Sequence, residues 1–97
     1  MLFLVRLTDD PDRQPVRKEY LPAHLAWLEQ QPQVLVAGSL RLDPDSAPVG
    51  GCWVVEASDR AAVEALLRQD PFWVQGLRKD VEILHWSKAF PDRKVLV

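Results

Sequence analysis

Residues 33–57 read QVLVAGSLRLDPDSAPVGGCWVVEA, and this stretch decides the fold because it holds two strand-like runs with no helix between them. Each run is short and apolar, and the segment DPDSAPVGG between them is typical of a loop. Further strand-like runs occur at residues 2–7 (LFLVRL) and 81–86 (VEILHW), each separated from the central pair by a helical pattern. The order β-α-β-β-α-β predicts the split βαβ arrangement, an α+β domain with an antiparallel sheet ordered 4-1-3-2 and both helices on one face.

The first helical pattern covers residues 13–31, and a proline interrupts it. Pro22 lacks the backbone N–H that an internal helical position donates, so we expect the helix to restart there. His24 then recurs with leucines at spacings of three and four, which predicts that it faces inward rather than lying with Arg17 among the outward charges. The inward stripe consists of Leu21, His24, Leu25 and Leu28.

The second helical pattern, DRAAVEALLRQ at residues 59–69, is followed by an acid, a proline and two aromatic residues. Ser58 is the candidate N-cap of this helix. Asp70 and Pro71 are residue types that cap and open a further short helical turn, which we expect to close near Gly76. Within the second strand, Gly38 predicts a bulge or a close backbone approach.

The composition limits the classes of protein to which the chain can belong. It has 97 residues, 47% hydrophobic and 27% charged, which is typical of one globular domain. We expect a single domain over residues 1–97, with a core at about 1–87 and a C-terminal extension at 88–97. A formal net charge of −2 without a basic stripe argues against a nucleic-acid partner.

Other sequence features bear on cofactors and location. The single cysteine, Cys52, excludes an internal disulfide, and two histidines without cysteine pairs predict no metal site. No glycine-rich phosphate loop or dinucleotide fingerprint occurs, so we expect no cofactor. The opening MLFLVRLTDD is too short an apolar run for a signal peptide or a membrane span, so we expect a cytoplasmic protein with no membrane partner.

The strands are more apolar than a sheet with one solvated face requires. The runs LFLV, VLVA and CWVV are nearly continuous rather than alternating with polar residues. Two helices cover only one face of the sheet, so a second surface must cover the other. We expect a homodimer in which two sheets pack face to face.

Five segments together resemble the YciI-like family: YLPAHLAWL in the first helix, VLVAGSL and GGCWVVEAS in the central strands, DPFWVQGL after the second helix and VEILHW in the last strand. The resemblance covers about residues 1–86. It implies a dimeric α/β-barrel of ferredoxin-like subunits, related in architecture to muconolactone isomerases and small monooxygenases. In that family the helix-one histidine and the aspartate of an Asp-Pro motif are regarded as an active-site pair, which corresponds to His24 and Asp70 here.

Five other residues are candidates for binding a substrate beside this pair. Trp27, Phe72 and Trp73 could hold a flat apolar molecule, although core or interface packing is the commoner role of such aromatics. Gly38 and Ser39 could present backbone amides to a ligand oxygen, although Gly38 could equally serve only a bulge.

Other polar residues have simpler interpretations. His85 alternates with Val81 and Ile83 on one face of the last strand, and we interpret it as structural. Arg6, Arg17 and Tyr20 could bind an acidic substrate, but solvent exposure is the default expectation for the arginines.

Two functions remain open from the sequence. In the first, the chain is a cofactor-independent lyase, isomerase or dehalogenase in which His24 is the general base on a small organic acid or lactone and Asp70 orients it. In the second, it is a non-catalytic small-ligand-binding or assembly domain, and Asp70 and His24 form a structural hydrogen bond. A cavity at His24 would favour the first function, and packed side chains in its place would favour the second.

Overall fold

The computed structural model describes residues 1–97 and shows one four-stranded sheet with three helices. A 3₁₀ turn over Pro11–Arg13 precedes the first helix. The elements in chain order are β1 (Leu2–Asp9), α1 (Gln14–Glu29), β2 (Val34–Leu40), β3 (Gly50–Glu56), α2 (Arg60–Leu67), α3 (Pro71–Val74) and β4 (Arg78–Trp86). The predicted α+β, ferredoxin-like fold is confirmed, and so is the predicted strand order, because the sheet runs β2-β3-β1-β4 with every pair antiparallel.

The core lies between the sheet and the helices. Alternate residues of β1 point toward the helices, so Phe3, Val5 and Leu7 are buried while the residues between them face the opposite side. Trp53 and Val55 of β3 extend this inner face of the sheet. The side of α2 that packs on it consists of Val63, Leu66 and Leu67.

Helix α1 corrects the prediction that the chain restarts at Pro22. The helix runs unbroken from Gln14 to Glu29 with the proline inside it. Pro22 is exposed, as is Lys18, whose carbonyl loses its helical partner at the proline. Water can bond that carbonyl, so the helix continues and His24 lies in its interior rather than in a first turn.

The short helices after β3 begin at aspartates. Asp59, rather than the predicted Ser58, is the N-cap of α2 and accepts a hydrogen bond from the Ala62 amide at 2.9 Å. Asp70 caps α3 as expected, and Gly76 closes that turn with a φ of 74°, which strongly favours glycine.

The strand boundaries differ from the sequence-based expectation at three places. β1 continues through Asp9 and β4 begins at Arg78, because the ladder extends until Asp9 pairs with Arg78. In β2, the irregularity in pairing falls between Val34 and Val36 rather than at Gly38, where a Cβ atom would meet no neighbour within 4 Å. Gly38 is therefore neither a bulge nor a close backbone approach.

The face of the sheet turned away from the helices, called the outer face below, is apolar and only partly covered. Leu84 and Trp86 of β4 are 45% and 44% exposed there, and the register places Leu4 beside Leu84. Residues 88–97 lie over one part of this face and share with Val54 and Trp86 a groove of about 440 Å³. No helix of the protein is long and apolar enough to cross a membrane.

Candidate functional site

A cavity of about 230 Å³ lies between α1 and the β2–β3 half of the inner face. Helix α1 contributes His24 and Arg17, and the strands contribute Ser39, Gly51 and Trp53. The volume lies somewhat below the 300–1,000 Å³ usual for ligand pockets. The cavity therefore suits a small molecule, such as one with a single ring or a short carbon chain.

His24 lines this cavity and contacts Asp70, which lies 46 residues later in the sequence. The Nδ1 atom of His24 lies 2.6 Å from Oδ1 of Asp70, which confirms the predicted hydrogen bond. Both side chains are buried. A carboxylate only accepts hydrogen bonds, so Nδ1 carries the proton that it donates to Asp70. In the neutral imidazole Nε2 then has the lone pair, and no protein donor bonds to it.

Asp70 and Phe72 hold the imidazole from two directions. Oδ1 of Asp70 also accepts a hydrogen bond from the Phe72 amide at 3.1 Å, which is the N-cap bond of α3. The Phe72 ring stacks on the His24 ring, with centroids 4.0 Å apart and planes 14° apart. The second carboxylate oxygen of Asp70, Oδ2, is buried without a hydrogen-bond partner. The Asp-Pro turn at the start of α3 thus fixes the orientation of the histidine.

A buried ionic cluster that the sequence analysis missed lies next to this pair. Oδ2 of Asp9 accepts from Arg17 Nη2 at 2.6 Å, and Oδ1 accepts from Arg78 Nη1 at 2.6 Å. Burial lowers the pKa of Arg78, an effect that the hydrogen bond it donates to Asp9 opposes. Both guanidinium groups also lie about 5 Å from the centroid of the Phe72 ring. The cluster therefore links the cavity, which Arg17 and Arg78 line, to Phe72, the aromatic residue that stacks on His24.

A sequence signal for this cluster does exist. Arg17 lies four residues before Leu21 and seven before His24, so it belongs to the inward stripe and not to the outward charges, which corrects our expectation. Asp9 likewise continues the alternation of Phe3, Val5 and Leu7 on the inner face. Arg78 gives no comparable signal, because its partner lies 69 residues away in the sequence.

The structure separates the five candidate substrate-binding residues into two groups. Gly38 and Ser39 line the cavity together with His24. Phe72 is fully buried beneath the His24 ring, while Trp27 packs against Trp53 with ring centroids 5.8 Å apart. Trp73 packs against the hydrophobic core. These three aromatics do not line the cavity.

The remaining polar candidates lie elsewhere. Arg6 forms an exposed ion pair with Glu82 on the outer face. The imidazole of His85 contacts the Phe3 ring edge-on, with centroids 5.7 Å apart, and the register places His85 with Val81 and Ile83 as predicted. The chain has no cluster of three histidine, cysteine or acidic side chains that could hold a metal ion. The chemical capacity of the site therefore lies in the imidazole, its carboxylate and the arginines.

Comparison with known proteins supports the resemblance seen in the sequence. The family model of the YCII-related domain matches residues 1–87. The chain is similar to 5-chloro-2-hydroxyhydroquinone dehydrochlorinase (TftG) from Burkholderia phenoliruptrix AC1100, solved in complex with 2,5-dihydroxybenzoquinone, with 28% identity and a TM-score of 0.81 over 90% of this chain and 94% of that one. A comparison with curated proteins found no match.

Two more distant structures share the fold alone. SnoaB, a cofactor-independent oxygenase from Streptomyces nogalater, is 15% identical with a TM-score of 0.52 over 94% of this chain and 96% of that one. TTHA0845 from Thermus thermophilus is 20% identical with a TM-score of 0.53 over 94% of this chain and 99% of that one. These two structures therefore support the fold of the chain and nothing more.

Proposed function

The chain belongs to the YCII-related domain family, and from this premise we propose that it is a cofactor-independent enzyme of the lyase, isomerase or dehalogenase type. Its substrate is a small acidic or lactone-like molecule. His24 removes a proton from the substrate, and Asp70 orients the imidazole. The observation that carries the proposal is the 2.6 Å contact between His24 and Asp70, made by an imidazole that also lines a cavity.

The chemistry follows from which imidazole nitrogen is free. Nδ1–H is donated to Asp70, so the lone pair on Nε2 is the one that can take a proton. The positive charge that this transfer creates on His24 is balanced by the carboxylate of Asp70. In a dehydrochlorination, the substrate loses the proton to Nε2, the electron pair of the broken bond forms a double bond, and chloride leaves with the pair of the C–Cl bond.

The similarity to TftG supports this reaction type and suggests a first substrate. TftG is described as a dehydrochlorinase of 5-chloro-2-hydroxyhydroquinone, and the two chains align over nearly their full lengths. Loss of hydrogen chloride is one of the eliminations that a single base can promote. We therefore choose 5-chloro-2-hydroxyhydroquinone as the first compound to test, followed by lactones and small organic acids.

A non-catalytic function is the alternative, and one observation favours it. Asp70 caps α3 through the Phe72 amide, and His24 packs on Phe72, so the pair also has a structural role. In that case the chain is a small-ligand-binding or assembly domain, and the hydrogen bond only holds α1 against α3. The experiment must therefore separate loss of chemistry from loss of structure.

We further propose that the protein is a homodimer whose sheets pack through their outer faces. The apolar exposure of Leu84 and Trp86 supports this arrangement.

The test compares variants of the pair with a matched cap variant. We expect the wild-type protein to release chloride from 5-chloro-2-hydroxyhydroquinone, and His24→Gln to lower kcat at least about 100-fold, the usual contribution of a general base. Asp70→Asn keeps an acceptor for the Phe72 amide but removes the charge, so kcat falls while α3 stays capped. Asp59→Asn, the equivalent change at the cap of α2, leaves kcat unchanged.

Circular dichroism and melting temperature show whether each variant is folded. A His24→Gln protein that is folded and fully active would refute the role of general base. A His24→Gln or Asp70→Asn protein that unfolds would favour the structural role instead. If neither the chlorinated compound nor any lactone or acid in the panel raises the melting temperature of the wild-type protein, the proposal of a small-molecule enzyme is wrong.

A further inference from the structure

The cavity beside His24 carries more positive charge than its own carboxylates neutralise. Arg17, Arg41 and Arg78 line it, and the nearby carboxylates are Asp9, between two of the arginines, and Asp70 under His24. Three guanidinium charges against two carboxylates leave one positive charge while the imidazole is neutral. A positive charge in a partly enclosed cavity favours an anionic ligand.

Arg78 has hydrogen-bonding capacity that the protein leaves unused. Its side chain is only 4% exposed and donates through Nη1 to Asp9. Its Nε atom is buried and has no hydrogen-bond partner. A buried donor without a partner is destabilising, and an acceptor bound beside it relieves that cost.

Arg41 supplies the charge that no carboxylate balances. Its Nη2 donates to the hydroxyl of Ser39 at 2.9 Å, and its Nη1 donates to the carbonyl of Ser46 at 3.2 Å. Both acceptors are neutral. Arg41 is exposed, so it lies where a ligand enters the cavity, and Ser39 holds its guanidinium in place.

Gly51 leaves the guanidinium of Arg78 accessible from the cavity. A Cβ atom built at this glycine would lie 3.5 Å from Nη2 and 3.6 Å from Nη1 of Arg78. Gly51 pairs with Ser39 across β2 and β3, and both residues line the cavity. Any side chain at this position would therefore contact the guanidinium of Arg78, which lines the same cavity.

We propose that Arg41, Ser39 and Arg78 form an anion-binding subsite, and that the substrate binds as a small monoanion whose carboxylate or ionised hydroxyl lies on them. This inference rests on the function proposed above, since it concerns the same cavity, and it narrows the substrate from acidic or lactone-like molecules to charged ones. The anion lies on the β2–β3 side of the cavity, and the bond to be broken faces His24 on α1. An arginine fork recognises a carboxylate by two parallel hydrogen bonds, which fixes this orientation.

The test is calorimetric titration with benzoate and with benzamide, its neutral analogue of the same shape. We expect the wild-type protein to bind benzoate at least tenfold more tightly than benzamide. Arg41→Gln removes that preference, while Arg68→Gln, a change at an exposed arginine that follows α2, preserves it. Equal binding of the two compounds, no binding of benzoate, or full benzoate affinity in Arg41→Gln would overturn the subsite.

A second variant avoids disturbing the buried ion pair of Arg78. Gly51→Ala places a methyl group beside the guanidinium and 3.2 Å from the Gly38 carbonyl, so the edge strand shifts only slightly. We expect Gly51→Ala to weaken benzoate binding at least fivefold with an unchanged far-ultraviolet spectrum, and unaltered benzoate binding would contradict the proposed place of Arg78.

Titration of His24→Gln distinguishes this inference from the proposed function. The variant keeps all three residues of the subsite, so we expect it to bind benzoate as tightly as the wild-type protein. If benzoate binding depends on Arg41 but no compound is turned over, the subsite stands and only the catalytic role fails. If turnover depends on His24 but benzoate and benzamide bind equally, the enzyme stands and the subsite fails.

Discussion

Each face of the sheet has a tryptophan and an ion pair, but their exposure to solvent differs between the two faces. The inner face has Trp53 at 1% exposure and an aspartate whose two arginine partners are almost fully buried with it. The outer face has Trp86 at 44% exposure and the ion pair of Arg6 with Glu82, whose side chains are about half exposed. On the inner face the chain's own helices cover the tryptophan and the ion pairs. On the outer face the tryptophan and the ion pair remain exposed.

This difference shows which face supplies the stability of the single chain and which face is available for the proposed dimer. Burial of apolar area contributes about 25 cal/mol per Å², so the inner face supplies most of the folding energy. The outer face gains its share only when another surface covers it. Equivalent substitutions on the two faces should therefore have unequal effects on stability and unequal effects on assembly.

The largest difference is expected between the two tryptophans. Trp53→Ala should lower the free energy of unfolding by about 4 kcal/mol, because it leaves a cavity in a close-packed core. Trp86→Ala should cost a single subunit about 1 kcal/mol, because the Trp86 ring contacts solvent there. Urea denaturation at a protein concentration low enough to keep the proposed dimer apart measures both, and equal costs would show that the faces are not different.

The two ion pairs give the next comparison. Asp9→Asn leaves two buried arginines without their carboxylate and should cost about 3 kcal/mol. Glu82→Gln breaks an exposed pair that solvent screens, and should cost at most about 1 kcal/mol. Thermal unfolding of the two variants in the same buffer tests this ranking, and a larger loss in Glu82→Gln would reverse it.

A charge placed on the outer face tests the proposed dimer. Leu84→Lys places a charge in the proposed interface and should convert the dimer to a folded monomer, while Leu42→Lys, in a loop where the leucine is 83% exposed, should leave the dimer intact. Size-exclusion chromatography with light scattering gives the mass of each. If the wild-type protein has the mass of a monomer at micromolar concentration, the proposed dimer is wrong.

The smallest effect concerns Cys52 on the outer face. Burial raises the pKa of this thiol, and the charge of Arg6 opposes the rise. The thiol is therefore protonated near neutrality, and its alkylation accelerates at a higher pH than that of an ordinary cysteine. Arg6→Gln removes the opposing charge and should slow iodoacetamide labelling further, by a few-fold at most. Labelling followed by mass spectrometry measures this, with Arg68→Gln as the control; faster labelling in Arg6→Gln would contradict it.

The sequence predicted the elements that repeat a pattern. The family resemblance, rather than any spacing, led to the pairing of His24 with Asp70. Apolar runs of strand length in β1 and β3, the leucine stripe in α1 and the Asp-Pro turn before α3 led to the correct fold and to the sheet order. These features depend on residue types that recur at fixed spacings, which local geometry determines.

The sequence did not predict features that depend on distant partners or on solvent. Helix α1 continues through Pro22 because the turn is exposed, which no spacing reveals. The burial of Arg78 depends on a carboxylate on another strand, and a lone arginine at a strand start is usually solvated. Asp9, Arg41 and Arg78 were missed at the candidate site, although the histidine and its carboxylate were found.

The central position of β1 also determines the order in which the protein can fold. β1 lies between β3 and β4, so Leu2 pairs with Glu56 on one side and with Trp86 on the other. During synthesis β1 can pair with β3 first, but its other edge stays unpaired until β4 has left the ribosome. Helix α1 can form early from local bonds, but His24 meets Asp70 only after the second half of the chain has docked. Any activity of the site would thus report that the second half of the chain has docked, and no nascent chain that ends before Asp70 would possess it.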